Sequence, residues 1–295
     1  MDDSLSEWLA LREAADWASR SERLVRRLTS TLSSKKPARA LDLCTGTGSN
    51  IRYLMDRLPR AQQWLAVDRD AALLKELPER LASWARVRGY RARTEGLITG
   101  IERAGFSCII ETRQMNLNQL DREIFDGRDL VTASALLDLV SESWLRLLAA
   151  RCRDAGASAL FAITYNGGSS CDPVEPEDEM VRELMNQHQK KDKGLGGPAA
   201  GPDAGSAAER AFADAGYCVE AAASDWLLEP AAARFQTMLI EGWAHAAMEV
   251  APSRKDAIDN WLRRRRQHVS SGRSHIVVNH VDMVAWRDGA SVRAE

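Results

Sequence analysis

Short apolar runs alternate with amphipathic stretches along most of the 295 residues, and the two repeat with different periods. Over 4–32, Trp8, Leu11, Ala15 and Ala18 recur at helical spacing, predicting one or two helices with Ser4 or Ser6 as the cap. Ser33, Ser34, Lys35, Lys36 and Pro37 interrupt that pattern and deliver a first strand at 38–43. A helix over about 48–58 ends at Pro59, and a second strand at 63–67 precedes a helix starting near Asp70. The stretch 83–106 is long for a simple crossover and holds Gly89, Gly96, Gly100 and Gly105, predicting an elaborated connection. Further strands are expected at 108–112, 129–133 and 157–165. Short apolar runs separated by helices imply a parallel sheet covered on both faces.

After Tyr165 the texture changes. Asn166-Gly167-Gly168-Ser169-Ser170 reads as a flexible turn, 173–191 as a helix, and 193–203 as the richest Gly/Pro segment. A helix at 205–215, a strand at 218–223, helices at 230–249 and 253–268, and a last strand at 276–286 complete the pattern. The expected organisation is an N-terminal helical cap over 1–37 and one domain over 38–295. Segments near 166–204 and 227–272 would be inserted into that domain as a cap.

Charged residues at 28% and hydrophobic ones at 45% are ordinary for a soluble protein, and a net charge of −2 offers no bulk attraction for nucleic acid. An acidic start and the absence of a long apolar run predict a cytoplasmic protein without a membrane span. The cysteines, five in all, are widely spaced with no C-x-x-C, so reduced thiols are expected and neither disulfides nor a metal site.

The chemistry concentrates in Ala40-Leu41-Asp42-Leu43-Cys44-Thr45-Gly46-Thr47-Gly48-Ser49-Asn50, followed by Val67-Asp68 at the end of the next strand. A strand running into a glycine turn, then a helix, then a strand ending in a carboxylate can lay an adenosine-type ligand across strand ends. A dinucleotide site would want a third glycine where Ile51 stands. Leu41-Asp42-Leu43 with Gly46-Thr47-Gly48 instead resembles motif I of the class I S-adenosylmethionine-dependent methyltransferases, with Cys44 in place of that motif's first glycine. The resemblance covers about 38–165 by motif and the remainder by order of elements. It implies an α/β fold: a doubly wound, mostly parallel seven-stranded sheet whose final strand is antiparallel, with an N-terminal helical cap and helical insertions in the C-terminal half.

The same resemblance implies S-adenosylmethionine as cofactor and a methyl acceptor as partner, with Asp42, Cys44, Gly46, Gly48, Asp68, Arg69, Asn116, Ser134 and Arg12 at the cofactor. Asp68 would take the ribose hydroxyls, Asn116 would face the adenine, Ser134 would end the strand of motif IV, and Arg12 on a lid helix would pair with the methionine carboxylate. Asp138 is either a carboxylate near the site or a helix-entry cap. His188, before the Gly/Pro segment, and Tyr165, at the fifth strand's tip, are the candidates for catalysis. Near-neutral charge and an insertion-built cap favour a small-molecule acceptor and a monomer or homodimer, with nucleic acid disfavoured. The alternatives are an RNA or protein methyltransferase docking through Arg263-Arg264-Arg265-Arg266, and a cofactor-binding protein without turnover. His275 and His280 flank an apolar strand and read as core or edge histidines.

Overall fold

A computed structural model describes residues 3–32, 36–118 and 120–287. The interruption at Ser33–Lys35 lies outside the described residues, as does the side chain of Ser4. The strands are β1 (Ala38–Leu43), β2 (Ala61–Asp68), β3 (Arg91–Glu95), β4 (Ile98–Arg103), β5 (Phe106–Gln114), β6 (Leu130–Ser134), β7 (Ser158–Asp172), β8 (Cys218–Ala223), β9 (Trp226–Leu228) and β10 (His275–Trp286). The α-helices are α1 (Asp3–Ser19), α2 (Glu22–Thr31), α3 (Ser49–Met55), α4 (Ala71–Val87), α5 (Glu142–Ala155), α6 (Asp178–Gln189), α7 (Ala204–Asp214), α8 (Ala233–Val250) and α9 (Lys255–Ser270).

One sheet holds all the described strands in the order β3-β4-β5-β2-β1-β6-β7-β10-β8, with β9 also paired to β10. From β5 to β7 neighbouring strands are parallel, whereas β10 runs antiparallel to both β7 and β8. These seven strands form the expected α/β sheet with its antiparallel final strand. The sheet is nonetheless larger than the seven strands expected. The elaborated connection after α4 is an antiparallel hairpin, β3–β4, added beside β5. Its outer strand, Arg-Ala-Arg-Thr-Glu, is exposed throughout, so it has no apolar alternation by which a strand is read.

Alternating side chains send β1 into two cores. Leu41 and Leu43 join Val67, Val131 and Phe161 beneath α5 and α7, while Ala40 joins Trp64, Leu130 and Leu160 beneath α2, α3 and α4.

The segment Asn166–Ser170 is a strand and not a flexible turn. β7 continues through it to Asp172, pairing Ser169 with Val278 and Ser170 with Val277. The apolar partner strand supplies the hydrogen bonds that local composition did not advertise. β9 pairs with the same part of β10, and α6, α8 and α9 pack against this extension around a third core containing Tyr165, Trp226, Ile240, Trp261 and Ile276. No described helix is long and apolar enough to cross a membrane.

Candidate active site

The turn after β1 is fixed by a buried carboxylate. Asp42 is fully buried and accepts from Thr45 Oγ1 at 2.5 Å and Asn50 Nδ2 at 2.6 Å, tying the turn to the first residues of α3. Burial pushes its carboxyl up to about 6, against those two hydrogen bonds and the neighbouring Arg20, which favour the charged form. Gly46 and Gly48 both take left-handed φ (+54° and +82°), and a Cβ on Gly46 would sit 3.2 Å from Leu9 of α1. Helix α1 therefore lies directly over the turn.

Asp68 closes the turn from the neighbouring strand. Its Oδ2 accepts from the Gly46 amide at 2.8 Å and its Oδ1 from the Asp70 amide at 2.9 Å. The capping of α4 falls to Asp70, whose Oδ1 accepts from Ala72 N and Leu73 N, so Asp68 is not used as a helix cap.

Three non-glycine residues among those described have left-handed φ: Cys44 (51°), Ala135 (54°) and Ile163 (55°). Such a conformation is unfavourable for a side chain with a Cβ, and most of all for a β-branched one. All three line the two cavities described next, at or near the C-terminal end of β1, just past β6 and within β7. Backbone strain of this kind clusters at functional sites. The Asp282 carboxylate holds the Ile163 distortion in place, accepting from the Ile163 amide at 2.9 Å and, on its other oxygen, from the Ser21 amide.

The first cavity is a cleft of about 310 Å³ across the C-terminal ends of β1, β2 and β6. Cys44, Gly46, Asp68, Arg69, Ser134 and Arg12 meet there, as do Thr45, Leu73, Met115 and Leu117. Cys44 is half-buried, and burial, with the Asp68 and Asp42 carboxylates adding to it, pushes its thiol up to about 12, so it stays protonated at neutral pH. Three expected residues, Asp42, Gly48 and Asn116, do not line it. Asp42 acts from beneath the turn, and Gly48 opens α3 behind it. Asn116, expected at the adenine, is exposed and its Oδ1 accepts from the Asn118 amide at 3.0 Å, while its neighbours Met115 and Leu117 face the cleft. The competing local turn captures the carboxamide.

The second cavity, about 590 Å³, adjoins the first. Leu5, Arg12, Ala135 and Leu139 line both. Trp8, Trp226, Trp243 and Tyr165 supply its aromatic wall, with His188, His280 and Asp138 as polar members. Arg12 stands at the junction, its guanidinium 5.1 Å from the Trp226 ring centre and donating to both oxygens of Asp16 at 3.0 and 3.2 Å. Asp16 also accepts from Trp226 Nε1 at 2.9 Å; burial raises its pKa against the pull of Arg12. Arg12 thus carries an internal partner besides any ligand.

Tyr165 donates to Asn186 Oδ1 at 2.8 Å, and burial raises its hydroxyl pKa. His188 meets Glu249 Oε2 at 3.1 Å; burial and then Lys193 lower its pKa, leaving it neutral at pH 7. His280 is buried and pushed down to about 3 by desolvation and then by Arg12. It is a cavity residue and not merely a core one. Trp226, Trp243 and Trp8 carried no sequence signal of a shared site, because three separate elements contribute them.

The arginine run is internally paired. Arg264 pairs with Glu175 and Glu177, Arg265 is fully buried against Asp178 and the Pro173 carbonyl, and Arg266 pairs with Glu241. Three of the four charges are met by carboxylates of this chain, which leaves little free charge for the alternative of docking through this run.

No family profile matches this chain, and no curated protein does. Among solved structures it is similar to the YcgJ protein from Bacillus subtilis, at 14% identity and a TM-score of 0.46 over 91% of this chain and 100% of that one. It is also similar to a SAM-dependent methyltransferase from Thiobacillus denitrificans solved with S-adenosyl-L-homocysteine, at 11% identity and a TM-score of 0.43 over 97% and 99% of the two chains. The cyclopropane synthase MmaA2 from Mycobacterium tuberculosis shows 8% identity and a TM-score of 0.43 over 88% and 82%.

Proposed function

We propose that this protein transfers the methyl group of S-adenosylmethionine to a small molecule held in the second cavity. The observation that carries the reading is the junction itself: a glycine-turn cleft at parallel strand ends opens, past Arg12 and Ala135, into an aromatic-walled cavity.

The cleft suits the cofactor on its own chemistry. Each Asp68 oxygen accepts one backbone amide and keeps lone-pair capacity toward the cleft for the ribose hydroxyls. Gly46 brings bare backbone to the ligand, Leu73, Met115 and Leu117 offer an apolar wall to a flat base, and Arg12 and Arg69 are the cations lining the cleft for a carboxylate. When bound, the cofactor supplies a methyl group already activated by its sulfonium. The chain's own task is to align the acceptor, keep water out and, for a protonated nucleophile, remove a proton. Leu5 and Leu9 of α1 cover the cleft, and the tryptophans surround the acceptor space. An aromatic-walled cavity of about 590 Å³ is of a size that suits a small acceptor.

Calorimetric titration with S-adenosylmethionine tests the reading. Wild-type protein is expected to bind, and Asp68→Ala to lose at least about tenfold in affinity through one or more charge-assisted hydrogen bonds. Absence of wild-type binding would overturn the function, and unchanged affinity in Asp68→Ala would remove Asp68 from the site.

A further inference from the structure

The second cavity contains two polar atoms with nothing to bond. Asp138 Oδ1 and His280 Nδ1 are both buried and without a hydrogen-bond partner, on residues only 7% and 4% exposed. Such atoms are rare in folded proteins and costly to leave unpaired, so two of them on residues lining one cavity point to a ligand's polar group there. The rest of the lining is aromatic and aliphatic. Trp226 lies 4.5 Å from the His280 ring, and Tyr165 6.1 Å from it, so the imidazole is set into the aromatic wall.

We propose that the methyl acceptor is a neutral, aryl-sized hydroxyl compound whose O–H donates to Asp138 Oδ1, and that Asp138 takes the proton as methyl transfer proceeds. The inference rests on the methyl-transfer reading above. In the step, the acceptor O–H bond breaks and its proton moves to the Asp138 carboxylate. An oxygen lone pair forms the new O–CH3 bond, and the electron pair of the broken S–CH3 bond stays on sulfur as a neutral thioether. Charge balances: one carboxylate and one sulfonium become a carboxylic acid and a thioether.

Placement supports this assignment over its rivals. Asp138 lines the second cavity and lies in the chain between Ala135 and Leu139, two residues that line both cavities. The groups facing it from other elements are Arg12 of α1, Lys193 after α6, His188 of α6, Tyr165 of β7 and His280 of β10. Burial pushes the carboxyl up to about 6, against Arg12, Lys193 and backbone amides, so it is ionised at neutral pH yet a competent proton acceptor. Tyr165 is already committed to Asn186 and His188 to Glu249, whereas Asp138 Oδ1 is free. Arg12 and Lys193 disfavour a cationic acceptor beside them.

Binding, without turnover, tests the inference. The probes are 2-naphthol, 2-methoxynaphthalene and N,N,N-trimethyl-2-naphthylammonium, titrated calorimetrically into the full chain with S-adenosylhomocysteine present. Near pH 7.5, about two units below the pKa of a phenol, the naphthol is neutral and is expected to bind about tenfold or more tighter than its methyl ether, as a charge-assisted hydrogen bond gives. That preference should shrink severalfold near pH 5, where Asp138 is protonated, and likewise in Asp138→Asn at neutral pH. Equal affinities of naphthol and ether in the wild type would overturn the proposal, as would a preference unaffected by both pH and substitution. Tightest binding of the ammonium probe would overturn it in favour of a cation-binding aromatic cage. Should Asp138→Asn not fold, the wild-type pH comparison alone decides. S-adenosylhomocysteine is first titrated alone into the same protein, so that loss of the cofactor reading is seen separately from loss of the hydroxyl preference.

Discussion

Replacing Asp42 with asparagine should change the pH dependence of stability more than stability itself. The wild-type carboxyl has an ordinary value of 3.8 and stands at about 6 in the fold, because burial outweighs the Thr45 and Asn50 hydrogen bonds and the Arg20 charge. An acid held more tightly protonated in the folded chain than in the unfolded one contributes stability that is full below pH 3.8 and lost as pH rises through 6. At about 1.4 kcal/mol per pH unit, the ionised form costs about 3 kcal/mol at neutral pH. The carboxamide that replaces it in Asp42→Asn has no such penalty. That group can accept from Asn50 while its NH2 donates to the Thr45 hydroxyl, at a cost of about 1 kcal/mol for the weaker pairing. Asp42→Asn should therefore be about 2 kcal/mol more stable than wild type near pH 7.5 and about 1 kcal/mol less stable near pH 3. Urea unfolding followed by tryptophan fluorescence measures both. Asp138 titrates in the same window but is common to the two proteins, so the difference between them isolates position 42. A difference that does not vary with pH would refute the reasoning, because it would mean that Asp42 is not the group being titrated.

Arg265→Ala strands Asp178 without its guanidinium partner and leaves the Pro173 carbonyl short of a donor, so it should cost about 3–5 kcal/mol by urea unfolding; a loss below about 1 kcal/mol would mean the pair is not structural. His188→Ala opens the rim of the second cavity without touching the cleft, so turnover should fall by about tenfold at most while calorimetric affinity for S-adenosylmethionine is unchanged. Wild-type turnover in that variant would place His188 outside the acceptor site.

What could be read along the chain was what local sequence decides. The glycine turn is legible because only a few residue types accept the left-handed backbone at Gly46 and Gly48, and strands β1, β2 and β6 are legible because buried parallel strands are apolar runs. The failures share one cause, pairing between distant segments. Asn166–Ser170 looks like a turn until Val277 and Val278 hydrogen-bond to it. Arg264–Arg266 look like a basic surface until Glu175, Glu177, Asp178 and Glu241 arrive from α6, its approach and α8.

The same distinction separates the two halves of the site. The floor of the first cleft is written within one contiguous unit, strand to turn to helix to strand ending in Asp68, to which α1, the segment after β5 and the end of β6 add Arg12, Met115 and Ser134. The second cavity draws Trp8 from α1, Asp138 from the loop after β6, Tyr165 from β7, Trp226 from β9, Trp243 from α8 and His280 from β10. No periodicity within one element encodes such an assembly. The strained residues show how the chain joins the two parts, since Cys44 lines the cleft, Ile163 the second cavity, and Ala135 both. A left-handed residue just past a strand turns the chain sharply, letting Ser134 face the cleft and Asp138 the neighbouring cavity within five residues of one loop. The cleft and the second cavity are therefore joined at Ala135, and substitutions that relax the turn should disturb both together.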